Sequence, residues 1–469
     1  MISVRSLPQP LNGNNLTAFL VLFLFGLTNA CSSNRTVASI PTKSLLDLST
    51  NSRVLVDKLD TLPIITVDSE VYLPIGSEIV RNEIPTEKWQ ISQSKISKNE
   101  YLKIGFVLPF LTDIVSSANN TDFNNKVSRW AIHYYTGAKM ALENWKNKGV
   151  KFESFVWDSG PDTMTLNKNV LSDPRFFEIP LLIGPYHRDN VKYLANYAKK
   201  EGILMFSPFS AAPNLTEENP FFYQSNPQLE TQIGTIVNHI QENYSFNDVL
   251  ILQKDSDSKL QNLFLQSIES KLIDKSINAL PKSILLSTNS STWGKSLIPE
   301  LAKKEKLVVI ISSYTDEVFL NNLLQELNRE TFDKKEIVIF GLSPWLNLER
   351  IDYQLLESLN FHVASAHFVD EANQDILSFQ RRFFQELGTL PEPEAYQGFD
   401  LINLLVENWV ENSGRFQENL DLVKSSGFLS SPYQFKKIKS SDSNIEKWQF
   451  NMNQNIMILR FNSFRWQKD

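Results

Sequence analysis

Cysteine occurs once in this 469-residue chain, which excludes a disulfide-stapled scaffold and leaves nothing for multi-thiolate chemistry. Five histidines are too few and too scattered to suggest a multi-ligand metal centre. Sixteen glycines rule out a collagen-like repeat. Basic residues do not predominate either. Lys plus Arg is 46 against 53 for Asp plus Glu, a net charge of −7, so the chain as a whole offers no attraction to nucleic acid or anionic lipid. No G-x-S-x-G, H-E-x-x-H, P-loop or G-x-G-x-x-G is present, and Ser, His and Asp show no known motif spacing. The expectation is therefore a protein that is not an enzyme and carries no cofactor or metal. What remains is 42% hydrophobic and 21% charged, a composition that folds, with length for two or three domains.

Long apolar runs are absent but for one. Ala18 to Leu27 is unbroken, yet ten residues fall short of the roughly 20 that span a hydrocarbon core. With Ala30 as a small residue after it, the run has the form of a secretory signal's hydrophobic region. The sole cysteine, Cys31, follows immediately. Thr28-Asn29-Ala30-Cys31 resembles a bacterial lipoprotein signal. The resemblance implies that residues 1–30 are removed and that Cys31 is acylated as the first mature residue, giving a membrane attachment. Ser32-Ser33 lacks the aspartate associated with inner-membrane retention, so the same resemblance places the protein in the cell envelope, on the outer membrane facing the periplasm.

Residues 31–100 are rich in Ser, Thr and Asn with isolated charges, broken by short apolar pieces such as Leu62-Pro63-Ile64-Ile65 and Val71-Tyr72-Leu73-Pro74. No helix-period stripe runs through them, which reads as a flexible tether with a few extended segments docking on the body. Fully extended it would reach about 230 Å.

From Tyr101 the pattern changes. Strands are expected at 103–110, 151–157, 181–184, 202–206, 248–253, 283–286, 307–312, 336–340 and 361–368, with short strands around 433–461. Between them, helix periodicity runs over 130–146, 188–200, 229–243, 257–272, 293–304, 315–330, 371–386 and 394–412, and 216–228 reads as a polar crossover. Such alternation implies βαβ units and parallel sheets, and the length suits two lobes: an α/β protein.

Several landmarks come in a telling order: Ile104-Gly105-Phe106-Val107-Leu108-Pro109, Tyr135-Thr136-Gly137-Ala138, Trp157-Asp158-Ser159-Gly160-Pro161-Asp162, Ile183-Gly184-Pro185, Gly202 to Pro208, Ala212-Pro213-Asn214-Leu215 and Ala395-Tyr396-Gln397-Gly398-Phe399-Asp400. They resemble the type I periplasmic binding proteins, the family of branched-chain amino acid receptors. The resemblance implies two Rossmann-like lobes with parallel sheets joined by three crossovers, near 217–224, 361–368 and 425–432. Lobe I would comprise 101–217 and 367–425, and lobe II 218–366 and 426–469. Ligand would lie in the cleft between them, beyond the carboxyl ends of the strands.

The turns that would line that cleft can be read directly. Where amino-acid-binding relatives place small hydroxyl residues, this chain has Pro185-Tyr186-His187-Arg188-Asp189. Arg188 could grip a carboxylate or phosphate, while Asp189 would repel an anion or pair with it. The next turn, Ser207 to Ala212, keeps small residues and adds Phe209. The candidate ligand-binding residues are therefore Phe110, Tyr186, His187, Arg188, Asp189, Phe209, Ser210 and Ala212. His362 and His367, five apart in an expected strand, point to opposite faces and form no metal pair. Gly160-Pro161-Asp162 and Gly398-Phe399-Asp400 read as turn-forming and capping sequences.

Two functions fit. One is a solute-binding lipoprotein that closes on a small polar molecule and presents it to a transporter or receptor. The other is a regulatory or scaffolding lipoprotein that docks the same fold on an envelope protein partner, similar in layout to the activators of peptidoglycan synthases.

Overall fold

The computed structural model describes residues 101–469 apart from 114–124, 256–257, 273–279, 304, 315, 332–335, 413–419, 421–426, 431 and 440–447. The expected signal, Cys31 and tether lie outside the described residues.

The first element of the described residues is β1 (Leu102–Leu108), whose Leu-Lys-Ile-Gly-Phe-Val-Leu is almost wholly buried. An apolar run of this kind suits a strand covered on both faces. Helix α1 (Lys126–Asn147) follows, its first turn capped by Asn125, whose side chain accepts from Val127 and Ser128 N–H. Then come β2 (Phe152–Asp158), β3 (Leu181–Ile183), α2 (Arg188–Glu201), β4 (Leu204–Ser207) and β5 (Phe222–Gln224). After α3 (Leu229–Asn243) the pattern continues with β6 (Val249–Lys254), α4 (Ser258–Leu272), β7 (Lys282–Leu286), β8 (Lys306–Ile311), α5 (Glu317–Thr331), β9 (Glu336–Leu342) and β10 (Phe361–Ser365). Helices α6 (Gln374–Leu387) and α7 (Pro393–Glu411) precede β11 (Phe435–Lys439), β12 (Trp448–Asn453), β13 (Met457–Asn462) and β14 (Arg465–Lys468).

These strands form two seven-stranded sheets, in the orders β11-β12-β5-β4-β3-β1-β2 and β14-β13-β10-β9-β8-β6-β7. Pairing is parallel except where β11, β13 and β14 join antiparallel. Each sheet lies between two apolar layers. In the first lobe, α1, α6 and α7 bury Trp130, Tyr134, Phe383 and Leu405 on one face, while α2 brings Val191, Leu194 and Ala198 to the other. In the second, α5 covers one face, and α3 and α4 cover the other.

The chain passes between lobes at 225–228, 366–373 and 454–456, because β5 and β12 belong to the first sheet and β10 and β13 to the second. The expected passages near 217–224 and 425–432 are corrected by this pairing. Residues 222–224 form a short strand hydrogen-bonded between β4 and β12, and β11 and β12 complete the first sheet rather than the second. Two local readings change as well. The helix expected over 293–304 is two short turns, Trp293–Ser296 and Ile298–Ala302, divided where Pro299 cannot donate to the helix ladder. His367 lies beyond the end of β10, in the second passage, and not in a strand with His362.

Helices α1 and α7 meet at close quarters. A side chain on Gly137 would lie 1.8 Å from the Ala395 carbonyl oxygen, and one on Gly398 would lie 2.2 Å from that of Tyr134. Asp400, expected to form a turn or cap, is instead fully buried within α7. Its carboxylate accepts from Leu429 N–H (2.7 Å), Ser430 N–H (2.8 Å) and Ser430 Oγ (2.6 Å), so it pins the loop that leads to β11.

Candidate functional site

Each passage leaves the carboxyl end of a strand, so the carboxyl edges of both sheets lie toward the hinge. In the first lobe that edge is built from three turns. Phe110 follows β1; its carbonyl accepts from Ser128 Oγ (2.8 Å), and its ring meets Tyr135 edge-on at 6.0 Å. Asp158, at the end of β2, holds the same turn by accepting from Leu111 N–H (3.1 Å), Thr112 N–H (2.7 Å) and Thr112 Oγ1 (2.8 Å). Leu111 there has a positive φ of 56°.

The turn after β3 places Tyr186 face to face with Phe209 from the turn after β4, with ring centroids 3.6 Å apart and planes within 19°. Trp130 of α1 meets both rings edge-on, at 5.0 Å and 5.5 Å, and stacks on Tyr134 behind it. Tyr186 and Trp130 are buried while Phe209 keeps a partly exposed face. The structure thus brings Tyr186 and Phe209 together over Trp130, a residue that from sequence alone is only the start of the helix periodicity at 130–146.

The other candidates sit around this stack. The His187 ring packs edge-on against Tyr186 at 5.2 Å, at the position before α2 and without a side-chain capping bond. Arg188 and Asp189 open that helix, Arg188 half-buried and Asp189 exposed. Ser210 is buried, its Oγ accepting from Ala212 N–H (3.4 Å), while the Ser210 and Ala212 carbonyls both accept from Gln224 Nε2 (3.0 and 3.1 Å). Both residues therefore serve the shape of their own turn. The first lobe presents rings and main chain where a hydroxyl cradle for a carboxylate would be needed.

The hinge is braced by side-chain amides. Asn226 Nδ2 donates to the Phe209 carbonyl (2.7 Å), which leaves Oδ1 to accept from His367 Nε2 (3.3 Å) and ties the first passage to the second. Gln228 donates to Gln224 (3.2 Å). Asn453 Nδ2 donates to the Ser225 carbonyl (3.1 Å), and its Oδ1 accepts from Asn455 N–H (3.1 Å), which links the first passage to the third. The His367 ring lies against Tyr433 at 5.8 Å, and burial draws its pKa down from 6.5 to about 4. No motif announces these residues; isolated Asn and Gln carry no spacing signal.

On the second lobe, Lys254, Asp316, Glu317, Val318, Asn321 and Arg350 line a cavity of about 390 Å³. Lys254 closes β6 and pairs with Asp316 at 2.7 Å. Asp316 also accepts from Phe319 N–H (3.0 Å) at the start of α5. The Lys254 ammonium first, and that N–H second, hold the Asp316 carboxyl below its ordinary range. Arg350 is exposed at the rim. Among the described residues no group of three or more His, Cys, Asp or Glu could hold a metal ion, and no helix is long and apolar enough to cross a membrane.

Residues 160–432 match the sequence profile of the receptor family ligand binding region. The chain belongs to that family. Solved structures agree in fold. A protein of Rhodospirillum rubrum described as a branched-chain amino acid ABC transporter covers 79% of this chain and all of its own length, with a TM-score of 0.55 and 13% identity. A branched-chain amino acid ABC transporter periplasmic ligand-binding protein from Burkholderia xenovorans gives a TM-score of 0.52 at 10% identity, over 78% of this chain and 94% of that one. An ABC transporter substrate-binding protein from Desulfitobacterium hafniense, solved with leucine, gives 0.50 at 15% identity, over 79% and 100%. No curated protein matches the chain in sequence. The receptor ligand-binding region is thus present here as the type I periplasmic binding fold.

Proposed function

We propose that this receptor-family protein is a solute-binding lipoprotein of the bacterial envelope, anchored through acylated Cys31, whose lobes hold a small molecule in the cleft beyond the carboxyl ends of their sheets. The observation that carries the reading is the hinge: three passages, all at those carboxyl edges, joined by the Asn226–His367 and Asn453–Ser225 contacts. Such an arrangement keeps two lobes facing each other across a space that a ligand can fill. The solved relatives carry amino-acid names, one with leucine bound. The ring stack of Tyr186 and Phe209 occupies the first lobe's floor, so the solute meets this lobe through a flat or apolar face. Its polar groups turn to main chain or to the second lobe, where Lys254 and Arg350 offer charge.

The same stack is the one observation that favours a second reading, in which the cleft is filled by the protein's own rings and the fold serves as a docking body for an envelope protein. One experiment separates them: a thermal-shift screen of metabolites on the Cys31→Ser protein, which the anchor reading expects in the soluble fraction. A true ligand at one hundred times its Kd adds about 2.7 kcal/mol, and Phe209→Ala should abolish that gain. A broad screen that moves nothing, with a protein crosslinked to the wild type in the envelope, would replace the first reading by the second.

A further inference from the structure

We propose that the solute is a neutral sugar or related polyol, its C–H face laid on Phe209 and its hydroxyl rim turned into the charge-balanced cavity of the second lobe. The inference rests on the solute-binding reading of the cleft and names the class of ligand for that site.

The cavity stands at the same edge of its sheet as the rings do of theirs. Lys254 closes β6, Asp316 lies between β8 and α5, and Arg350 lies in the loop after β9. All three are at carboxyl ends, the side from which the passages leave. The volume of about 390 Å³ suits a small-molecule site, for which about 300–1,000 Å³ is usual.

The lining decides what can enter. Lys254 and Arg350 are donors only, and Asp316 and Glu317 are acceptors only, so two cations stand against two carboxylates. A simple anion would meet the carboxylates as well as the bases, and a simple cation would meet both bases. An apolar solute would strip water from all four and return no hydrogen bond. A zwitterion matches the balance of charge but not the pairing. The Lys254 ammonium and the Asp316 carboxylate are already joined at 2.7 Å, and the first lobe has no hydroxyl cradle for a carboxylate. A hydroxyl both donates and accepts, so several on one ring can join such an ion pair at its edges without separating it.

Arg350 is held in place for this contact. Asn321 of α5 donates to the Arg350 carbonyl (2.6 Å) and accepts from Asp352 N–H (3.1 Å). Glu317 accepts from Glu349 N–H (3.3 Å). The loop is thus pinned to α5 on both sides of Arg350, whose side chain stays exposed.

The first lobe supplies the other half of the match. Tyr186 covers one face of the Phe209 ring at 3.6 Å, and Trp130 stands edge-on to both. Phe209 is therefore held rigid while part of its ring stays exposed. A sugar ring carries C–H bonds on a face and hydroxyls around its rim. The electron-rich face of an aromatic ring attracts such C–H bonds and repels a carboxylate.

The test is a thermal-shift and tryptophan-fluorescence titration of the Cys31→Ser protein. The probes are glucose, galactose, N-acetylglucosamine and lactose, against leucine, glutamate and putrescine, each at about 10 mM. At least one sugar should raise the melting temperature by several degrees, and none of the charged compounds should. Arg350→Gln, at an exposed position, and Phe209→Ala should each weaken that sugar about tenfold or more. A gain from leucine, glutamate or putrescine overturns the sugar class and leaves the solute-binding reading standing. Silence from every sugar also overturns the proposal, and a ligand found in the broader metabolite screen would then keep the solute-binding reading without it. A sugar whose affinity survives either substitution overturns the pairing of ring and cavity.

Discussion

The contact between α1 and α7 predicts that one kind of substitution will have opposite effects at two glycines. Gly137→Ala would place a methyl 1.8 Å from the Ala395 carbonyl oxygen, whereas carbon and oxygen come no closer than about 3.3 Å even in a C–H···O contact. Neither partner is a side chain that can rotate away; both belong to helix backbones, so the helices must part locally by more than an ångström. Around that point they bury Tyr134, Ala138, Ala141, Tyr396 and Leu401. Overpacking costs about 1–3 kcal/mol and sometimes more, and a backbone clash belongs at the upper end. Alanine's better helix propensity returns about 1 kcal/mol, for a net loss near 2 kcal/mol. Gly234 in α3 is the control. A side chain there meets nothing within 4 Å, so Gly234→Ala should add about 0.4–1 kcal/mol. At about 2–4 °C per kcal/mol, calorimetry should show Gly137→Ala melting several degrees lower and Gly234→Ala one to several degrees higher. Equal or raised stability for Gly137→Ala would refute the close crossing of these helices.

Asp400→Ala should cost about 2–4 kcal/mol, because it strands the buried Ser430 N–H and hydroxyl and the half-buried Leu429 N–H; a loss under about 0.5 kcal/mol in urea unfolding would show that the loop is held otherwise. Stability should also depend on pH from two sides. The unfolded chain protonates His367 below its ordinary 6.5 while the folded chain resists until about 4, so stability falls as pH drops through that interval. Burial first, and the neighbouring Glu392 after it, raise the Glu394 carboxyl from 4.5 to about 8, so stability also falls as pH climbs from 4.5 to 8. His367→Gln should flatten the acid limb and Glu394→Gln the alkaline one, and an unchanged unfolding profile in either variant would count against that assignment.

Much of the fold was legible because long periodic segments are governed locally. The helix read at 229–243 is α3 to the residue, and the apolar runs of β1, β6 and β8 lie within a residue or two of their observed bounds at most ends. What failed was decided by distant pairing. Phe222–Gln224 is too short to carry a period of two, and it is a strand only because β4 and β12 lie on either side of it. The assignment of β11 and β12 to the first sheet likewise depends on that neighbour. At the cleft, Tyr186 and Phe209 were singled out by the turns they interrupt, but their mutual stacking and the part of Trp130 are tertiary facts. The bracing amides and the hinge position of His367 left no trace in spacing, since a side-chain amide can serve any backbone carbonyl that folding brings near.

Residues 448–468 give one strand to the first sheet and two to the second: β12 lies beside β5, β13 beside β10, and β14 beside β13. Neither sheet can therefore be finished until residues 448–462 are available. A chain truncated before Trp448 would leave an unpaired edge on both halves at once, and completion of the two halves is coupled by covalent order rather than by their surfaces.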